Sequence, residues 1–143
     1  MDRYVFPAEF RRTESGNYVV TFPDLPGCVT EGGTVEEALA MARECLELHL
    51  YGMEEDGEEI PFPTPPERLE VRPPAFLTLV EAWMPPVRDE MASLAVKKTL
   101  TIPKWLNDLA EERRVNYSRI LQEALKEHLA VRDRPRRSTL RDR

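Results

Sequence analysis

The sequence is poor in the residues that metal sites and acid–base catalysis are built from. Its 143 residues include two cysteines and two histidines, and Cys28 and Cys45 have no metal-ligand spacing with His49 or His128. No metal is expected, and the cysteines read as small buried hydrophobes without chemistry. No apolar run reaches the roughly 20 residues that span a bilayer, and the start, MDRYVFPAEFRR, lacks the apolar core of a secretory signal. A cytoplasmic protein without a membrane partner is expected. There is no serine on a nucleophile elbow, no histidine with a suitable partner and no phosphate loop. Gly32-Gly33 before a helix reads as a turn rather than an anion cradle, so no catalytic residue and no cofactor is expected.

Basic residues are also scarce, but only in the first two-thirds. Residues 1–95 hold 7 Lys and Arg against 19 Asp and Glu, net -12, whereas residues 96–143 hold 13 against 7, net +6, which sums to the whole-chain -6. Such a split predicts two domains, the second suited to a nucleic acid and the first repelling it.

The basic part carries the clearest pattern. Val96 to Ile102, VKKTLTI, is rich in threonine and β-branched residues and is stopped by Pro103, so it reads as a short strand. Alternation puts Leu100 and Ile102 on one face and Lys97, Thr99 and Thr101 on the other. Trp105, Leu106 and Leu109 then recur at helical spacing, and Asn116 can cap a second helix with the apolar stripe Tyr117, Ile120, Leu121, Ala124 and Leu125. A strand this short leaves its backbone groups unpaired and two short helices bury little, so a second copy is required. Two chains pairing strands over four helices make a ribbon that fits the DNA major groove. The segment KKTLTIP, WLNDLA, NYSRILQEAL resembles the ribbon-helix-helix family. That resemblance implies a β-α-α dimerisation domain over residues 96–131, with Lys97, Thr99 and Thr101 reading bases. It also implies Asn116, Tyr117 and Ser118 anchoring a phosphate, and a dimer core of Leu100, Ile102, Trp105, Leu106, Leu109, Ile120, Leu121, Ala124 and Leu125. Residues 132–143, with six arginines against two aspartates, read as a basic tail.

Upstream, Tyr4–Arg11 and Tyr18–Phe22 are apolar-rich runs separated by the turn residues Ser15-Gly16-Asn17 and predict a β-hairpin, with Pro7 at an edge or in a bulge. The proline-rich loop FPDLPG precedes a short third strand at Cys28-Val29. Thr34 and Glu37 form a capping box, and Val35, Ala38, Leu39, Ala42, Cys45, Leu46, His49 and Leu50 continue a helix to about Met53. His49 on this stripe reads as a hydrogen-bonded core residue. Residues 60–74 hold six prolines and should be extended, Phe76–Trp83 should return to the sheet, and Pro85 to Ala95 should be a linker. The order β-β-(β)-α-β predicts an α+β fold.

The pattern Tyr18-Val-Val-Thr-Phe-Pro-Asp-Leu-Pro-Gly-Cys, Thr30-Glu-Gly-Gly-Thr, Glu36-Glu-Ala-Leu and Ile60-Pro, within residues 1–84, resembles the HicB antitoxin domain. The resemblance implies a degenerate ribonuclease-H-like fold that binds a small HicA-type, mRNA-cleaving toxin, with the C-terminal domain repressing the operon through operator DNA. The loop Pro23, Asp24, Leu25, Pro26, Gly27 and Cys28 is its most characteristic motif and the candidate toxin contact. Glu9, Asp24 and Glu81 are the acids nearest the strands, and no pattern brings them together for Mg²⁺. A homodimer is expected, with pairing into tetramers left open. The rival reading is a stand-alone ribbon-helix-helix regulator whose N-terminal domain binds a ligand or mediates oligomerisation.

Overall fold

The computed structural model describes residues 1–133, and the chain divides into two compact units between Ser93 and Leu94. The first unit is built on one long strand, β1 (Arg3–Arg12), flanked by β2 (Tyr18–Thr21) and β4 (Phe76–Trp83), with β3 (Val29–Gly32) outermost beside β2. All pairings are antiparallel, with Phe10 opposite both Val20 and Phe76 and Phe6 opposite Val80. The hairpin turn closes through Thr13, whose amide donates to Asn17 O at 2.7 Å.

Alternation decides which face is covered. Phe6, Ala8 and Phe10 of β1, Val20 of β2 and Val80 and Ala82 of β4 are buried under α1 (Val35–Asp56). The helix answers with Ala38, Ala42, Leu46 and Leu50, each four residues after the last and all fully buried. Two of these are alanines, so the helix backbone can approach the aromatic face of β1 closely. Each large side chain here contributes about 1.5–3 kcal/mol by leaving water. Val35 and Leu39, expected on the same stripe, are exposed, although Ala38 between them is fully buried. His49 is half-buried and has no side-chain hydrogen bond among the described residues, unlike the bonded core histidine expected.

The helix begins where the capping pattern places it. Thr34 Oγ1 accepts from the Glu37 amide at 3.1 Å, and Glu37 Oε2 accepts in return from the Gly33 amide at 2.9 Å. The chain can turn from β3 into α1 this tightly because Gly32 has no side chain, since a Cβ there would lie 2.4 Å from the Ala38 nitrogen. The helix ends at Gly57, whose amide donates to Glu54 O at 3.2 Å.

Two expectations need correction, and a third resolves to one of its alternatives. Pro7 lies fully buried where β1 is locally an edge, one of the two settings expected for it, and not in a bulge, since the register opposite Leu79 of β4 is continuous. It is tolerated because the β1–β2 register runs only from Glu9 to Arg12, so β1 has one neighbour at Pro7 and a missing amide on the open side costs no ladder bond. Residues 85–95 are not simply a linker, because α2 (Met84–Ala92) occupies most of them. Pro85 and Pro86 fall in the first turn, where a helix has no partner for their amides anyway. Finally, no strand forms between Val96 and Ile102 in the single chain. A strand needs a partner ladder, and the described residues offer none there.

Among the described residues of the second unit, Leu94 to Asp133, there are two helices, α3 (Lys104–Glu112) and α4 (Tyr117–Leu129). Their junction is a tight turn in which Arg114 is left-handed (φ 51°) and the Val115 amide donates to Ala110 O at 3.0 Å. Of the basic tail expected at 132–143, residues 134–143 lie outside the described residues.

Within the first unit, α2 is held by Met84 in the core and Val87 against it, and by a polar clamp from one side chain. Arg88 donates from Nε and Nη2 to the two oxygens of Glu54 at 2.9 and 2.6 Å, from Nη1 to Asp2 at 2.6 Å, and from Nη2 to Met1 O at 2.7 Å. The Arg88 hydrogen bonds hold the Glu54 carboxyl below its ordinary value, against the opposing effect of burial. A depressed carboxylate stabilises the fold above its unfolded pKa and loses that contribution as pH falls through the folded one. Arg88→Ala is therefore expected to cost about 1–2 kcal/mol at neutral pH, discounted for partial exposure. In melts from pH 7 to 3 the gap to the parent should narrow below about pH 4, and a pH-independent gap would contradict this. Gly32→Ala should cost about 1–3 kcal/mol, because the atoms it meets are backbone and cannot step aside. Denaturant titration measures it, and an unchanged midpoint would show that β3 shifts freely.

Candidate functional site

The loop from Phe22 to Cys28 divides its residues between two jobs. Leu25 and Cys28 are buried in the core cluster, and three backbone bonds tie the loop to itself: Leu25 N to Phe22 O at 3.1 Å, Cys28 N to Leu25 O at 3.0 Å and Phe22 N to Cys28 O at 3.3 Å. Gly27 sits at φ 87°, a conformation that side-chain-bearing residues avoid, so it serves the turn. Pro23, Pro26 and Gly27 are exposed. Asp24 faces neither core nor open water. Its carboxylate accepts from Thr64 N at 2.9 Å and Thr64 Oγ1 at 2.5 Å, fastening the proline-rich segment to the loop. Of the six residues, Leu25, Gly27 and Cys28 build the loop and Asp24 is a tether, which leaves Pro23, Pro26 and the Gly27 backbone as accessible surface.

The sequence offered no sign of Thr64, since its partner lies forty residues away. The cysteines were likewise read apart. The fold brings them together, with Sγ atoms 3.5 Å apart and both thiols free. Burial, followed by the neighbouring Cys45, pushes the Cys28 thiol up to about 12.

In the second unit no residue from Leu94 to Asp133 is buried. Trp105 is 68% exposed, Leu100 57% and Ile120 53%, and Ile102, Leu106, Leu109 and Leu125 are also exposed. Ala124 is exposed and Leu121 half-buried. An apolar set of this size left in water marks an interface rather than a finished domain. Lys97, Thr99 and Thr101 are exposed, and Lys97 makes no ion pair among the described residues.

At the start of α4, Asn116 Oδ1 accepts from the Arg119 amide at 3.0 Å, so Asn116 is a helix cap. Ile120 N donates to Asn116 O, and the Tyr117 and Ser118 amides have no protein acceptor among the described residues. Their side chains are engaged: Ser118 Oγ accepts from Gln122 at 3.0 Å, and the Tyr117 hydroxyl donates to Glu111 at 3.2 Å. Burial and then the Glu111 carboxylate raise the Tyr117 phenol above its ordinary value. Two free amides at a helix N-terminus favour an anion.

Nothing in this arrangement resembles a hydrolytic centre. Among the described residues no three His, Cys, Asp or Glu side chains are grouped to hold a metal, and no helix is long and apolar enough to cross a membrane. Glu9 and Glu81 are held in ion pairs with Arg11 and Arg3, and Asp24 is bound to Thr64. The Gly33 amide is taken by Glu37, which leaves no anion cradle at that turn.

A family model described as the HicB-like antitoxin of bacterial toxin–antitoxin systems matches residues 6–125. The chain belongs to this family. Antitoxin HicB 1 of Photorhabdus laumondii is 43% identical over 60 residues, which are 42% of this chain and 39% of that one. A chain of a toxin–antitoxin complex from Streptococcus pneumoniae superposes with a TM-score of 0.58 at 28% identity, covering 88% of this chain and 99% of that chain. The antitoxin HicB of Burkholderia pseudomallei superposes at 0.51 with 25% identity, covering 88% and 96% respectively. HicB-like antitoxins are not an enzyme family, in keeping with the absence of a catalytic pattern in the sequence.

Thiol labelling tests the loop geometry. In native protein at pH 8, iodoacetamide should modify half-buried Cys45 first, with Cys28 reacting only on unfolding, because its thiolate is scarce and its sulfur buried. Prior modification of Cys28 would mean that the loop opens in the folded state.

Proposed function

We propose that this HicB-family protein is the antitoxin of a type II toxin–antitoxin pair. Its N-terminal unit binds and neutralises a small mRNA-cleaving toxin of the HicA type. Its C-terminal unit pairs with a second copy as a ribbon-helix-helix dimer that binds operator DNA and represses its own operon in the cytoplasm. The domain scheme is a toxin-binding domain extending through α2, followed by a DNA-binding domain over residues 96–131.

The observation that carries the DNA half is the uncovered apolar set of Leu100, Ile102, Trp105, Leu106, Leu109, Ile120, Leu121, Ala124 and Leu125. It lies on the segments expected to form a strand and two helices, and each large side chain among them gains about 1.5–3 kcal/mol when covered. Pairing two copies would also give Val96–Ile102 the ladder it lacks alone. Lys97, Thr99 and Thr101 then alternate onto the ribbon face, and the Tyr117 and Ser118 amides are available to a phosphate. The match to the antitoxin family runs through both units, to residue 125, which supports treating them as one functional protein.

The toxin half is supported by family membership and by charge. A part of the chain at net -12 over residues 1–95 attracts a cationic RNA-binding partner and repels nucleic acid, leaving DNA to the other unit.

Binding to DNA from upstream of the protein's own operon tests the ribbon assignment. Thr99→Ala and Thr101→Ala should relax sequence preference, by about 1–3 kcal/mol per base position lost. Lys97→Ala should weaken binding, and if it neutralises a phosphate the log–log salt slope should flatten by about one. Unchanged footprints and slope in all three variants would reject the assignment.

A further inference from the structure

Phe62 is 96% exposed, the most exposed large apolar side chain of the chain's described residues. It is not on a loose strand of chain. Two residues before it, Ile60 packs against the hydrophobic core, and two residues after it Thr64 is fastened to Asp24 by two hydrogen bonds. Pro61 and Pro63 flank it, each with φ locked, and a residue preceding proline is itself confined to extended backbone. Phe62 is therefore the crown of a five-residue arch pinned at both ends and stiff between them. Nothing in the described residues covers the ring.

A rigid, exposed aromatic is the form that interface anchors take, because docking it costs little conformational entropy and buries a large apolar surface. The chemistry around it restricts the partner. Glu55, Asp56, Glu58 and Glu59 are exposed and in no ion pair among the described residues. Glu59 lies three residues from Phe62, within roughly 11 Å at full extension. The same acidic unit of a second copy would set one acid run against another, whereas a basic protein would meet opposite charge.

We propose that Phe62 is the anchor by which this chain holds its toxin. The ring enters an apolar pocket on the toxin whose rim is basic, and Asp24, through Thr64, positions the arch. This gives the family loop a task its exposed residues do not explain: Asp24 acts through the arch rather than by touching the partner. The inference rests on the antitoxin reading, and the test separates the two.

Isothermal titration of the full-length protein is run against the toxin encoded beside it, purified in a cleavage-inactive form. The parent chain should bind, and no complex at all would remove the antitoxin reading and this inference with it. Phe62→Ala should bind at least tenfold more weakly with an unchanged melting temperature, while Phe62→Trp retains most of the affinity. If the parent binds and Phe62→Ala binds equally well, the anchor is refuted while the antitoxin reading stands. Asp24→Ala should weaken binding less than Phe62→Ala, and the double variant should be no weaker than Phe62→Ala alone, because a positioning residue has nothing left to position. Additive losses would overturn that role for Asp24.

Discussion

The structure turns on where apolar surface is covered and where it is not. In the first unit Phe6, Phe10, Val20, Leu46, Leu50 and Val80 close on one another between the sheet and α1, and no buried polar side-chain atom among the described residues lacks a partner. That unit has a closed core of its own. The second unit has as clear an amphipathic pattern, yet nothing from Leu94 to Asp133 is buried. Helices this short do not hold a fold through backbone propensity alone, because most helical stability comes from packing. The apolar surface of the second unit is thus open to another surface, and in the proposed dimer its function and its folding would be the same event.

Dependence on a partner has a regulatory consequence. In the proposed function, a DNA-binding surface that exists only when two chains associate would couple operator occupancy to the protein's own concentration. The first unit, already folded, remains available to a second protein whatever the state of the other. In the proposed function the separation of charge, net -12 against +6, would keep the two tasks apart, since DNA repels the acidic part.

Much of this was legible one residue at a time. Thr34 and Glu37 announced the start of α1, Ser15-Gly16-Asn17 the hairpin, and the helical period from Val35 to Leu50 the helix, though of its eight residues only Ala38, Ala42, Leu46 and Leu50 are buried. These signals are local, and local geometry honoured them. What escaped depends on neighbours distant in sequence. Whether Pro7 lay at an edge or in a bulge depended on which side of the sheet is paired at that point, and α2 was missed because Pro85-Pro86 marks a helix start as readily as a linker. The tether from Asp24 to Thr64, the clamp from Arg88 to Glu54 and the approach of Cys28 to Cys45 join segments that no periodicity connects. The cap at Asn116 was legible from helix chemistry, whereas Lys97, Thr99 and Thr101 are exposed together with Leu100 and Ile102 and form no strand in the single chain, so their alternation belongs to the proposed dimer, and the division of the Pro23–Cys28 loop into core, tether and surface needed the fold.

The central claim is that the second unit is finished by a second copy of the same chain. Sedimentation equilibrium of the full-length protein from nanomolar to tens of micromolar, with helix content followed over the same range, addresses it directly. The account predicts a dimer or a multiple of one at the upper end, and a loss of helical signal that accompanies dissociation on dilution. A protein that remains monomeric throughout with α3 and α4 intact would contradict it.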